Sequence, residues 1–97
     1  MTNIPFHKAN ITDEEISEVT KTLESGWLTM GPKTLEFENN FKTFLDVKYA
    51  VSTNSATAAL HLALKAIGLQ ENDEVIIPTN PFVATAEVIT YFNAIPV

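Results

Sequence analysis

The chain has 97 residues, 45% of them hydrophobic, with three glycines and five prolines, a profile that fits one small ordered domain and not a disordered or low-complexity chain. A net charge of −6 disfavours nucleic acid or an anionic membrane as the main partner, because either needs a basic surface to displace counterions. The absence of cysteine removes a disulfide framework and a thiolate metal site and is compatible with the cytosol.

No apolar run reaches the roughly 20 residues of a bilayer span, and the start has no basic stretch leading into an apolar one, so no secretory signal is read. Residues 1–10 carry Pro5, His7 and Lys8 without periodicity and read as an extended arm. A helix then begins at Thr12, with Glu15 three residues on completing a capping box and Ile11 and Ile16 at the positions of a hydrophobic staple. Ile16, Val19, Thr20 and Leu23 form one face, Glu14, Glu18 and Lys21 the other, and Ser25 with Gly26 closes the helix.

Residues 27–30 form a linker whose side chains are large and apolar for a surface loop, so something is expected to cover them. Gly31 and Pro32 open a second helix, with proline at the first position, where its missing N–H does no harm. Phe37, Phe41, Phe44 and Leu45 fall on one helical stripe, and Asp46, Val47 and Lys48 turn the chain toward a strand over residues 49–53.

The chain is organised around residues 49–68, which read as a short buried strand, a polar turn and a helix closed by Gly68. Asn54, Ser55 and Thr57 supply capping groups to the turn, and the small side chain of Ala56 leaves room for an anion at the free N–H groups of the first helical turn. No acidic residue lies between Lys48 and Glu71, so the positive end of this helix dipole is uncompensated. A plain N-cap on a core helix is the competing reading. Leu60, Leu62, Ala63, Leu64 and Ile67 leave Thr57, His61 and Lys65 as the only polar stripe, which predicts a helix buried between layers.

Glu74, Val75, Ile76 and Ile77 form a second strand, apolar at consecutive positions as in a parallel sheet. After a break at residues 78–81, a third buried-face helix is predicted over 82–92, with Asn93 as a left-handed C-cap and a third strand at 95–97. The stop at an apolar strand is the pattern of a fragment of a longer chain. The fold expected is therefore α/β, mainly parallel sheet flanked by helices and preceded by two N-terminal helices. Residues 1–47 hold the arm and those two helices, and residues 48–97 form an incomplete βαβαβ unit with right-handed crossovers. Ligands of such sheets collect beyond the carboxyl ends of the strands, where the loops around residues 53–57 and 78–82 converge.

Gly26, Trp27, Leu28, Thr29, Met30, Gly31 and Pro32, then Phe37 to Phe41, the run from Tyr49 to Leu64, Asp73 to Pro78 and Phe82 to Ala86 resemble, in order and spacing, the N-terminal part of the DegT/DnrJ/EryC1/StrS family. The resemblance covers nearly the whole chain. It implies part of the large domain of a fold-type-I, pyridoxal-phosphate-dependent aminotransferase acting mainly on nucleotide-linked keto-sugars, with glutamate as the usual amino donor, in a cytoplasmic homodimer.

It further implies that Ser55, Ala56 and Thr57 hold the cofactor phosphate, that Phe82 stacks on the pyridine ring, and that Thr29 and Gly31 lie in a loop near the sugar-nucleotide site. Trp27 is a packing residue or a contact of that substrate loop. Pro81 replaces the threonine common before the aromatic residue, and Asn93 stands where glycine is usual. The family's cofactor-carrying lysine and the aspartate that pairs with the pyridinium nitrogen lie beyond position 97, so no catalytic or metal-ligating residue is read here and the chain alone is expected to be inactive. Lys65 and Lys33 read as solvated side chains and His61 as a hydrogen-bonding residue at the core's edge. The alternatives are a truncated, non-catalytic folding or interaction module and a dinucleotide-binding βαβ unit, the latter lacking its G-x-G-x-x-G turn after residue 53.

Overall fold

The computed structural model of the chain describes residues 4–97, which fall into two units, Met1–Ala50 and Val51–Val97; the first three residues of the expected arm lie outside the described residues. In the first unit, the capping box starts helix α1 (Asp13–Glu24) as its sequence requires. The Thr12 hydroxyl accepts from the Glu14 N–H, and the Glu15 carboxylate accepts from the Thr12 N–H. The Thr12 hydroxyl, which also donates to the Glu15 carboxylate, and then the Thr12 N–H hold the Glu15 carboxyl below the usual carboxylate range. Gly26 ends the helix with φ +71°, a conformation that needs no Cβ.

Helix α2 (Pro32–Phe44) starts on Gly31 with no side-chain cap and with proline in its first turn. Its phenylalanine stripe is real, with the Phe37 and Phe41 rings 5.7 Å apart, but Phe37, Phe41, Phe44 and Leu45 are all exposed.

One ion cluster joins the two helices. Lys33 Nζ lies 2.7 Å from Glu18 and 2.9 Å from Glu36, and Lys21 Nζ lies 2.8 Å from Glu18. The two ammonium groups hold Glu18 down to about 2, and the two carboxylates hold Lys33 up to about 12. Since the Glu18 value is depressed in the folded chain, its stabilising effect is present above the ordinary value of 4.5 and is lost as pH falls toward 2. Lys33 is raised, so its share is present below 10.5 and is lost as pH rises toward 12. Circular dichroism melts are therefore expected to show a plateau between those limits, with Glu18→Gln reducing the acid-side loss. The cluster is exposed, so the difference shrinks in about 1 M salt, where the Debye length is about 3 Å. Superposed curves for the two proteins from pH 5 to pH 2 would show that the cluster contributes nothing.

In the second unit, helix α3 (Ala56–Ala66) is followed by strand β1 (Glu74–Val75), helix α4 (Ala84–Thr90) and strand β2 (Ile95–Pro96). β1 and β2 pair in parallel, Glu74 opposite Ile95 and Val75 opposite Pro96. The ladder runs through Ile95 N–H to Asp73 O at 2.8 Å, Val97 N–H to Val75 O at 2.9 Å and Ile77 N–H to Val97 O at 2.8 Å. Pro96 falls at the alternate position, whose N–H would point away from β1, so proline costs this ladder nothing.

Three expectations change. Residues 49–53 form no strand: among the described residues the only sheet pairs β1 with β2. Helix α4 is shorter than residues 82–92 because both ends tighten into i→i+3 turns. Thr85 N–H bonds Phe82 O at 2.9 Å at one end, and Asn93 N–H bonds Thr90 O at 3.0 Å at the other. Asn93 then takes φ +54°, left-handed as expected, although the C-cap of α4 is Tyr91, two residues earlier.

The third correction concerns α3, which is not buried between layers. Leu62 is 54% and Ile67 77% exposed, because packed structure lies on one side of the helix only. The core is Val88 and Ile89, each 1% exposed, with Ala94, and Leu64, Leu69, Val75, Ile77 and Phe92 pack against it. His61 meets α4 through ring edges, 5.3 Å from Tyr91 and 5.3 Å from Phe92, so its contacts are aromatic where a hydrogen-bonding role was expected.

Candidate functional site

Ser55 is the N-cap of α3 in extended backbone. Its hydroxyl oxygen accepts from Ala58 N–H at 3.1 Å and its carbonyl from Ala59 N–H at 3.1 Å. The Thr53 hydroxyl donates to the same carbonyl at 2.9 Å, which pins the turn. The N–H groups of Ala56 and Thr57 therefore have no intrahelical acceptor, and only the Ala56 methyl stands at the first helical position. The first turn of α3 holds no acidic residue, whereas α1 opens with Asp13, Glu14 and Glu15. The cap leaves Ser55 a positioning role toward its own helix, with Ala56 and Thr57 as the available donors to an anion.

Topology brings Phe82 to the same rim. At the amino ends of the strands, the turn between α3 and β1 meets the end of α4, with Asn72 N–H bonded to Asn93 O at 3.1 Å. The N-termini of α3 and α4 therefore lie toward the carboxyl ends of the strands, and Phe82, 78% exposed, stands two residues before α4 there.

In the first unit the expected loop residues Trp27, Thr29 and Gly31 do come together, around a cleft of about 420 Å³ also lined by Lys21, Thr22, Ser25, Leu28, Pro32, Lys33 and Thr34. Trp27 donates its indole N–H to Met30 O at 3.0 Å. A Cβ built on Gly31 would stand 2.0 Å from the Trp27 Nε1 and 2.1 Å from its Cδ1, so the indole occupies the space that any side chain at 31 would need. The expectation that something covers residues 27–30 does not hold within the described residues, where Trp27, Leu28 and Met30 are all exposed.

Sequence reading passed over Lys21, Thr22, Ser25 and Thr34 as lining residues. Their signal was the spacing of Lys21, Thr22 and Ser25 across the last turns of α1, beside an α2 start that has neither a side-chain cap nor an acidic residue. Lys33, read as a solvated side chain, lines the cleft and bridges two glutamates. Lys65 stays exposed on α3. Among the described residues no cluster of histidine or acidic side chains could hold a metal ion, and no helix is long and apolar enough to cross a membrane.

The spore coat polysaccharide biosynthesis protein SpsC of Bacillus subtilis is 51% identical over 94 residues, which is 97% of this chain and 24% of that protein. Spr1654 from Streptococcus pneumoniae, solved in its PLP form, superposes with a TM-score of 0.91 at 46% identity, over 99% of this chain and 24% of its own. The E. coli GDP-4-keto-6-deoxy-D-mannose-3-dehydratase with bound hydrated PLP superposes with a TM-score of 0.89 at 25% identity, over 99% of this chain and 26% of its own. The chain thus spans about a quarter of the length of the relatives it matches. The model of the DegT/DnrJ/EryC1/StrS aminotransferase family matches residues 9–97, and the chain belongs to that family.

Proposed function

We propose that this chain is the amino-terminal portion of a pyridoxal-phosphate-dependent enzyme that exchanges an amino group with a nucleotide-linked keto-sugar. The observation that carries the reading is the start of α3: a Ser55 cap, an acid-free first turn and two N–H groups without intrahelical acceptors, in a chain of this family. The cradle fits a phosphate, since the only side-chain atom at Ala56 is a methyl carbon and the first turn of α3 carries no carboxylate to repel the anion.

Bound there, the cofactor supplies an electron sink for the carbon that exchanges its amino group. The Ala56 and Thr57 amides and the Thr57 hydroxyl would hold the phosphate. Phe82 would stack on the pyridine ring and keep water from it, a contact of about 1 kcal/mol on the scale of aromatic pairs. Ser55 orients the donors by holding the Ala58 N–H. The Trp27 cleft supports a sugar nucleotide as ligand, because it sets apolar surface beside Lys21, Lys33 and the uncapped start of α2. A cytosolic homodimer completes the reading, supported by the cysteine-free sequence and the exposed apolar faces.

The likeness to the E. coli dehydratase favours a second reading, loss of water from the same class of sugar. The test incubates the full-length protein with pyridoxal phosphate, glutamate and a nucleotide-linked 4-keto-sugar. Amination requires amino-sugar and 2-oxoglutarate in equal amounts, and neither without glutamate. A dehydrated sugar with no amino-sugar selects the second reading, and an unchanged keto-sugar sinks both.

A further inference from the structure

Two contacts of Trp27 are already committed. Its N–H is donated to the Met30 carbonyl at 3.0 Å, and its five-membered ring lies where a Cβ of residue 31 would stand. The indole is still 56% exposed, so what it offers the cleft is ring surface with no hydrogen-bonding group. The backbone explains why the lock has this form. Gly31 has φ −160°, extended backbone open to any residue, so glycine serves there by making space for the ring rather than by supplying an unusual dihedral angle. The polar partners of the cleft stand around that surface: Lys21, Lys33, Thr29 and Thr34.

From this geometry we infer that Trp27, set against Gly31 and tied to Met30, is the stacking platform for the nucleobase of the sugar nucleotide, and that Gly31 is a positioning residue acting through it. The inference rests on the reading that the cleft takes a sugar nucleotide. A platform of this kind recognises flatness and discriminates weakly among bases, because every base has a face and the platform makes no hydrogen bond. Lys21 and Lys33, each already paired with glutamate, would contribute less to affinity than free cations.

The test measures UDP and dTDP affinity by calorimetry on the full-length protein loaded with cofactor, with the cofactor absorbance as a check on folding. Trp27→Phe keeps a ring and lacks the N–H; it is expected to weaken both diphosphates by about threefold or less. Trp27→Ala is expected to weaken them by about five- to tenfold. Gly31→Ala should approach the Trp27→Ala value, since a methyl at 31 forces the indole away, with kcat at saturating substrate changing less than KM. Equal losses in Trp27→Phe and Trp27→Ala would show that the N–H is the recognised group and overturn the inference. Wild-type affinity in Gly31→Ala, or no binding of either diphosphate to the wild-type protein, would overturn it too. If the Phe and Ala variants separate as expected but the protein fails to aminate a keto-sugar, the functional reading falls and the platform stands.

Discussion

Ala56→Asp is expected to weaken pyridoxal phosphate binding to the full-length enzyme by about a hundredfold or more while leaving α3 at least as stable as before. The two effects have opposite signs for one reason. A carboxylate at the first position of α3 complements the helix dipole, an effect of about 0.3–1 kcal/mol in favour of folding. The same charge, about 5 Å from a bound phosphate, opposes binding by roughly 3 kcal/mol per unit charge at an effective dielectric constant near 20. Titration of the cofactor-free enzyme by absorbance measures the first quantity, and thermal melts without cofactor measure the second. Thr57→Val keeps the amide and removes the hydroxyl, so its loss should stay near tenfold or below. Undiminished affinity in Ala56→Asp would place the phosphate away from α3.

The second large effect concerns the 97-residue chain by itself. In light scattering at micromolar concentration it is expected to run above its monomer mass, and the excess should fall on dilution. Phe44, Tyr49, Val51 and Ile76 are each at least 74% exposed, and among the described residues only Val88 and Ile89 are large side chains with almost no exposure. Two such side chains cannot offset the ordering of a chain of this length, and exposed apolar surface of this extent drives association. Phe44→Ser and Val51→Thr should reduce the association without touching the core. A monomer with a sharp cooperative melt at the same concentration would refute the argument.

Local rules were legible in single residues. Thr12 with Glu15 and Pro32 after Gly31 set the starts of α1 and α2, and Asn93 took the left-handed turn after α4, because caps and turn conformations depend on atoms only a few positions apart. The family resemblance was legible for the same reason: its motifs are short segments whose spacing survives without knowledge of their neighbours. Burial was not legible. Leu60, Leu62 and Ile67 have the composition of a buried helix, yet composition records only the environment a side chain favours. Whether anything covers it depends on which elements lie alongside.

The sequence by itself determined the starts of α1, α2 and α3, the acid-free first turn of α3 and the membership that its motifs carry. Tertiary structure alone decided that residues 49–53 form no strand, that β2 joins β1 in the Glu74 to Ile95 register, and that the Trp27 indole lies over Gly31. The physical reason is distance along the chain. Capping and helix dipoles act over one turn, whereas a ladder joins residues about twenty positions apart, and the pose of a side chain across a loop follows from the backbone on both sides of it, which no local pattern encodes.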